Sequence, residues 1–178
     1  RPRAAYAAMI SRFDQEVGSI IMALKRNEID DNTLIIVTSD NGPSWVGGVD
    51  MDFFNSSGHL RGRKAQLWEG GIRVPTVVWW PRHVPARVSN DTPTAFWDWY
   101  PTLMSVAGSQ SQHFDGIDLW PLFTQEETIS TRGLYWEHGK SQAFRKGPWK
   151  LLRIQTKKGI ESKLFNLERD ISESNNLA

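Results

Sequence analysis

A short apolar run that ends in polar residues places the strongest limit on how this chain can fold. Leu34-Ile-Ile-Val37 contains no polar side chain, which is typical of a strand covered on both faces, and Thr-Ser-Asp-Asn-Gly42 follows directly. Before the run, apolar residues recur at helical spacing from Ala4 to Lys25, which predicts an amphipathic helix packed on a sheet. Since a helix, a short loop and a buried strand follow one another, the sequence predicts an α/β fold.

Two oxygen-bearing side chains, Asp40 and Asn41, come at the end of that run. In a regular strand they would point to opposite faces, so they can meet one ligand only where the strand breaks, and Gly42 allows such a break. Carboxylate and amide oxygens together suit a hard cation such as Ca²⁺ or Mg²⁺. The competing interpretation is structural, because Asn-Gly after an apolar run is also a strong hairpin-turn signal.

A cationic, glycine-rich segment follows about twenty residues later. Leu60-Arg-Gly-Arg-Lys64 leads into Trp68-Glu-Gly-Gly-Ile-Arg-Val-Pro75, and glycines on both sides of Lys64 would let the backbone approach a ligand closely. A lysine in such a loop can contact a tetrahedral oxyanion as a point charge. The competing interpretation is a solvated basic loop.

The histidines give a weaker signal. None of the four has a second metal-type ligand at helical spacing. His59, directly before the cationic segment, is the better candidate for a substrate contact, and His138 is the second.

Composition excludes several classes of function. With 178 residues and a net charge of +1, the chain can bury a core but lacks the basic patch of a nucleic-acid-binding protein. It has no cysteine, so disulfides, thiolate metal sites and a cysteine nucleophile are excluded. No apolar run approaches the ~20 residues that span a bilayer, so we expect no membrane span.

The sequence pattern changes after about Asp118, where shorter strand-like runs alternate with turn signals. These runs begin at Gly133, Gln142, Trp149 and Lys163. They predict a small antiparallel sheet. We therefore expect residues 1–118 to belong to an α/β domain and residues 119–178 to form a C-terminal antiparallel-sheet subdomain.

The segments ending at Gly42, Lys64 and Pro75 resemble, in order and spacing, those of the type I sulfatases, the formylglycine-dependent enzymes of the alkaline-phosphatase superfamily. The resemblance runs the length of the chain and looks like the C-terminal part of that family. It includes Asp98-Trp-Tyr-Pro-Thr-Leu103, Asp115-Gly-Ile-Asp-Leu119, Ala143-Phe-Arg-Lys-Gly-Pro-Trp-Lys150 and Leu164-Phe-Asn-Leu-Glu-Arg-Asp170.

The resemblance implies a fold and a site. The fold is the C-terminal part of an alkaline-phosphatase-like sandwich, a mostly parallel sheet with flanking helices, followed by a small antiparallel sheet. Asp40 and Asn41 match two calcium ligands, and Lys64 matches the lysine that holds a sulfate oxygen. The nucleophile would be a formylglycine made from Cys or Ser, and the substrate a sulfated carbohydrate or an aryl sulfate. Such enzymes are usually periplasmic, extracellular or lysosomal, and this chain itself carries no targeting signal.

The sequence also departs from the family pattern. It has no Cys/Ser-x-Pro-x-Arg motif and no early paired aspartates that would complete the calcium site, and His59 stands where many relatives have proline. We therefore expect half a site here, completed by a missing N-terminal part of the same protein. Two alternatives stay open: a phosphate- or phosphonate-ester hydrolase of the same superfamily, and a non-catalytic pseudoenzyme or carbohydrate-binding remnant.

Overall fold

The computed structural model describes residues 2–109 and 114–178. The helices are α1 (Pro2–Arg26), α2 (Met51–Phe54), α3 (Glu69–Ile72), α4 (Trp99–Val106) and α5 (Trp120–Phe123). The strands are β1 (Ile35–Thr38), β2 (Thr76–Trp79), β3 (Gly133–His138), β4 (Ser141–Lys146), β5 (Trp149–Thr156) and β6 (Gly159–Asn166). An α/β arrangement followed by a four-stranded sheet agrees with the sequence prediction.

The chain divides into two compact units. The first comprises Arg1–Met22, Thr38–Pro75 and Arg132–Ala178, and the second comprises Ala23–Val37 and Thr76–Thr131. Each unit draws on separate stretches of sequence, so neither is a continuous segment. The division into residues 1–118 and 119–178 concerns the full-length protein and stays a prediction.

Strands β1 and β2 form a two-stranded antiparallel sheet. The Thr38 hydroxyl, at the end of β1, donates to the carbonyl of Pro75, just before β2, at 3.1 Å. This pair is the chain's share of the sheet predicted as mostly parallel, and the described residues include no parallel pair. Both strands are partly exposed, whereas the apolar run predicted a strand covered on both faces.

The first unit owes its core to the C-terminal sheet, in which β3, β4, β5 and β6 pair antiparallel in chain order. Alternate residues of β5 are buried, so Lys150 and Leu152 face inward while Trp149 and Leu151 face outward. The inner face packs around a buried cluster consisting of Leu67, Ala143, Leu152, Phe165 and Leu167. Because Leu67 belongs to this cluster, the sheet anchors the cationic segment of the sequence.

In the second unit, buried polar groups fix the connection between α4 and α5. Asp98 accepts hydrogen bonds from the backbone N–H groups of Ala95 at 2.7 Å and Ile117 at 3.1 Å. The Thr102 hydroxyl donates to the Asp98 carbonyl at 2.6 Å and accepts from the Leu119 N–H at 2.8 Å. Two of the family-like motifs thus have a structural role, since they satisfy each other's buried polar groups.

Helix α1 forms where the sequence predicts it but is not packed as predicted. We expected an amphipathic helix lying on a sheet, yet none of its described residues is buried. Several of its apolar side chains are more than half exposed, among them Met9, Ile10, Phe13 and Ile20. Among the residues with assigned structure, no helix is both long and apolar enough to cross a membrane.

Candidate functional site

The Asn-Gly sequence is not the corner of a hairpin. Strand β1 ends at Thr38, and its partner β2 begins at Thr76, far beyond the next few residues. Residues 39–43, here called the aspartate loop, leave the sheet as bends instead. This excludes the structural interpretation of Asn41 and Gly42 as a two-residue turn and leaves the loop free for another role.

Backbone hydrogen bonds join the aspartate loop to residues 60–73, here called the lysine loop. The Gly42 N–H donates to the Gly71 carbonyl at 2.9 Å, and the Lys64 N–H donates to the Pro43 carbonyl at 2.9 Å. The two segments singled out in the sequence are therefore neighbours in the fold. The contact brings the backbone of Lys64 next to the residues that follow Asn41.

The glycines explain how closely the loops approach. A Cβ atom on Gly42 would lie 1.8 Å from the Gly70 carbonyl oxygen, and one on Gly71 would lie 2.0 Å from that of Gln66. No real Cβ tolerates such distances, so each position requires glycine. The Gly70-Gly71 pair serves close packing of the protein's own backbone, whereas the sequence predicted that these glycines let the backbone approach a ligand.

The aspartate loop presents oxygen atoms that the protein leaves available. Asp40 is exposed, and its carboxylate has no hydrogen bond or ion pair within residues 2–109 and 114–178. The Asn41 amide nitrogen donates to the Gly42 carbonyl at 3.0 Å, which leaves its oxygen as an acceptor. A carboxylate and an amide oxygen fit a calcium ion as two members of a larger ligand set. The described part of the chain contains no cluster of three or more His, Cys, Asp or Glu side chains that could hold a metal by itself.

Lys64 differs from the arginines beside it. The Arg61 guanidinium lies 3.8 Å from the centroid of the Trp68 ring, and that of Arg63 lies 4.6 Å from the Trp45 ring. Arg73 donates to Glu69 at 2.9 Å. The exposed Lys64 ammonium has no ion pair with any described residue, so it is available for an anionic ligand.

His59 and His138 are both exposed and have no side-chain hydrogen bond with the residues that the structure describes. His59 precedes the lysine loop, and the nearby Ser57 hydroxyl donates to the Gly62 carbonyl at 2.8 Å. His138 is instead the last residue of β3, in the C-terminal sheet. Of the two histidines, His59 is therefore the one adjacent to the candidate site.

Sequence reasoning missed a buried ionic cluster beneath the lysine loop. Lys150 Nζ lies 2.9 Å from Glu69 Oε1 and 2.9 Å from Glu173 Oε1. Glu69 is 2% exposed, and the other two side chains are 0% exposed. A usable signal was present: strand alternation puts Lys150 on the same face as Leu152, and a lysine on an apolar face requires a buried partner.

The two carboxyl groups of the cluster respond differently to burial. Burial by itself raises the pKa of Glu69, but Lys150 and Arg73 outweigh it and hold that pKa below its ordinary value. Burial raises the pKa of Glu173, which has Lys150 as its cationic partner and the Glu69 carboxylate as a like-charged neighbour. Glu69 is thus the stabilised anion of the pair.

Comparison with known proteins identifies relatives of this chain. A sulfatase family model matches residues 1–109. Steryl-sulfatase of Rattus norvegicus is 36% identical over 123 residues, which cover 66% of this chain and 21% of the relative. Arylsulfatase J of Mus musculus is 33% identical over 178 residues, which cover 84% of this chain and 28% of the relative.

A solved structure extends the likeness to the whole fold. The crystal structure of Ps i-CgsB in complex with k-i-k-neocarrahexaose has a TM-score of 0.86 and 35% identity, and the match covers 99% of this chain and 39% of that one. The predicted alkaline-phosphatase-like α/β fold is confirmed. The chain spans between about a fifth and two-fifths of the length of these proteins. With more than half of its residues matched by the family model, the chain belongs to the sulfatase family.

Proposed function

We propose that the full-length protein is a sulfuric-ester hydrolase, with Asp40 and Asn41 as two of its calcium ligands and Lys64 as a contact to a sulfate oxygen. One observation carries this proposal: the aspartate and lysine loops are hydrogen-bonded through Gly42, Gly71, Pro43 and Lys64 in a member of the sulfatase family. Because the backbone of Lys64 is bonded to the aspartate loop, its ammonium group would be the cation available to an anion bound at the metal.

The proposed roles follow from charge. Calcium bound by Asp40, Asn41 and further ligands outside this chain would supply positive charge to the sulfate group. Lys64 would contact a second oxygen of the same group, where two unit charges at about 4 Å interact by roughly 4 kcal/mol near a protein surface. His59 would contact the substrate, since it directly precedes the lysine loop.

The nucleophile of the proposed reaction is a formylglycine outside these residues. The chain has no cysteine and no Cys/Ser-x-Pro-x-Arg motif. What its own residues contribute is therefore binding and charge stabilisation of the transferring group.

We propose a sulfated carbohydrate as the substrate, with an aryl sulfate as an artificial one. The similarity to Ps i-CgsB, which was crystallised with k-i-k-neocarrahexaose, supports an oligosaccharide, and the similarity to arylsulfatase J supports the aryl ester. We also propose export to the periplasm, the cell exterior or a lysosome, in line with the family.

The test is turnover of an aryl sulfate and of the matching aryl phosphate by the full-length protein and its Lys64→Ala variant. Loss of one stabilising charge raises the barrier by about 3 kcal/mol, so turnover of the sulfate should fall about 100-fold or more. Lys158→Ala, which removes an exposed lysine from the turn before β6, is the matched control and should leave turnover unchanged.

Other outcomes of this experiment would favour the competing interpretations. Near-normal turnover by Lys64→Ala would return Lys64 to the solvated-loop interpretation. Hydrolysis of the phosphate ester alone would favour the phosphate- or phosphonate-ester hydrolases, and a folded wild type without either activity would favour a pseudoenzyme.

The metal assignment has its own test in the 178-residue chain. Calcium affinity depends on ligand number, and six to eight oxygens are usual, so two ligands should bind only in the millimolar range or more weakly. Isothermal titration calorimetry should show this weak binding, and an aryl sulfate should not be hydrolysed. Robust turnover by these residues alone would contradict the proposed mechanism.

A further inference from the structure

The buried cluster of Glu69, Lys150 and Glu173 ties the lysine loop to the C-terminal sheet. Lys150 lies on β5, while Glu69 begins α3 inside the loop, 81 positions earlier. One ammonium group contacts both carboxylates at 2.9 Å. The contact to Glu69 is a hydrogen-bonded ion pair, whereas the contact to Glu173 is electrostatic, since its angles are not those of a hydrogen bond.

Glu173 holds both ends of the lysine loop. Its second carboxylate oxygen accepts the backbone N–H of Glu69 at 2.7 Å, and its own carbonyl accepts from Arg61 at 2.9 Å. Its φ of 54° lies in the left-handed region, which is uncommon for a residue other than glycine. Such a conformation persists where the surroundings determine it, so Glu173 is held in place by its contacts.

The path from this cluster to the candidate site is short. The Gly70 N–H donates to the Arg61 carbonyl at 2.6 Å, and the Gly71 carbonyl accepts the Gly42 N–H at 2.9 Å. Glu69, which Lys150 contacts, is therefore only two residues away from Gly71, and Gly71 is hydrogen-bonded to Gly42, the residue after Asn41. A shift of Glu69 would move Gly70 and Gly71 against atoms that leave no free space.

We propose that Lys150 is a positioning residue, which through Glu69 and Glu173 sets the distance between the lysine loop and the aspartate loop. This inference rests on the proposed function for its catalytic meaning. The C-terminal sheet is then part of the site: it carries the buried cation that determines where Lys64 and Asn41 stand relative to each other.

Net stabilisation alone is a weak explanation for such a cluster. Removing charges from water is costly, and replacing a buried ion triad with apolar groups of similar size is often neutral or stabilising. Directional ion pairs between distant segments do give one defined arrangement of those segments, and a site with two loops needs that precision.

The test is backbone hydrogen exchange in the full-length protein and its Lys150→Met variant. The informative amides are those of Gly42 and Lys64, because each donates across the two loops. Their exchange should become at least about tenfold faster through local opening, while amides of β3 and β4 exchange as in wild type. Lys163→Met is the matched control, since Lys163 also pairs with a glutamate, Glu161 on the same strand, but both of these side chains are partly exposed.

A second variant covers the case in which Lys150→Met does not fold. Glu69→Gln combined with Lys150→Met and Glu173→Gln removes all three charges and leaves no uncompensated carboxylate. It should fold, show the same faster exchange at Gly42 and Lys64, and lower kcat about tenfold or more with little change in KM, as expected when groups are misplaced rather than removed. The single variant Lys150→Arg keeps the positive charge, so its kcat should fall less than that of the triple variant.

The outcomes separate the two proposals. If Gly42 and Lys64 exchange as in wild type, or if every amide accelerates equally, the positioning role is wrong. If wild type does not hydrolyse a sulfate ester, the proposed function fails, and the exchange of these two amides still decides whether Lys150 positions the loops.

Discussion

Helix α1 and the lysine loop show opposite relations between regular structure and burial. The helix is 25 residues long and has no buried residue among those described, although its sequence has a clear helical period. The lysine loop contains a single helical turn, yet Leu67, Glu69, Gly70 and Gly71 are all buried. Local periodicity thus determines which secondary structure forms, while long-range contacts determine what is packed.

The difference between α1 and the lysine loop predicts where the chain tolerates substitutions. Several apolar side chains of α1 are largely exposed in this chain, and the relatives that it matches are several times longer. The buried residues of the lysine loop are instead held by backbone hydrogen bonds, an ion pair and the core cluster. We therefore expect substitutions of these buried loop residues to be costly and substitutions at the exposed positions of α1 to be mild.

The largest expected effect is that of Gly42→Ala. Its Cβ would lie 1.8 Å from the Gly70 carbonyl oxygen and 2.8 Å from the carbonyl carbon, so the two loops must separate and lose the bond to Gly71. We expect the free energy of unfolding of the 178-residue chain to fall by about 3 kcal/mol, as for severe overpacking. Urea unfolding followed by tryptophan fluorescence measures it. A loss below about 1 kcal/mol would mean that the loops are not tightly joined.

A smaller effect is expected for Glu69→Gln, which removes charge but little volume. At pH 7 the variant should be less stable by about 2 kcal/mol, typical of a charge-assisted hydrogen bond. The native pKa of Glu69 is lowered from an ordinary value of 4.5. Its stabilising contribution is therefore fully present above pH 4.5 and is lost as the pH falls through the native pKa. Urea unfolding over a pH series should show wild type and variant converging in acid.

Glu173→Gln should have the opposite pH dependence. Burial raises the native pKa of Glu173 above 4.5, so ionising this group costs stability in the folded state as the pH rises through that pKa. Relative to wild type, the variant should therefore gain stability with rising pH across this range. Parallel curves for the two glutamine variants would contradict the assignment of Glu69 as the stabilised anion.

The sequence predicted those features of the fold that depend on residues close together in the chain. The helical period gave α1 to within two residues at its start, and the run Leu34–Val37 gave β1 to within one residue at each end. The aspartate and lysine loops were selected because Asp40, Asn41 and Lys64 are unusual in such surroundings. Their placement next to each other agrees with that selection, while their catalytic and metal-binding roles stay a proposal.

The sequence did not predict the contacts between residues that are far apart in the chain. Glu69 and Lys150 are 81 positions apart, and Glu69 and Glu173 are 104 apart, so no local pattern indicates that they meet. The exposure of α1 was missed for a related reason. An amphipathic period shows that a helix has an apolar face, but it contains no information about which element covers that face.

The smallest expected effect, and the only stabilising one, is that of Gly18→Ala in α1. A Cβ atom at Gly18 would have no heavy atom within 4 Å, and the residue lies inside a helix, where alanine is favoured over glycine by about 1 kcal/mol. In the 178-residue chain the substitution should therefore raise the helical signal at 222 nm and slow amide exchange along α1. In the full-length protein the same substitution tests whether another segment covers the helix. If one packs closely on Gly18, the added methyl group would be destabilising there, and the sign of the effect would differ between the two proteins. The same sign in both would mean that this side of α1 stays exposed, in contrast to the lysine loop.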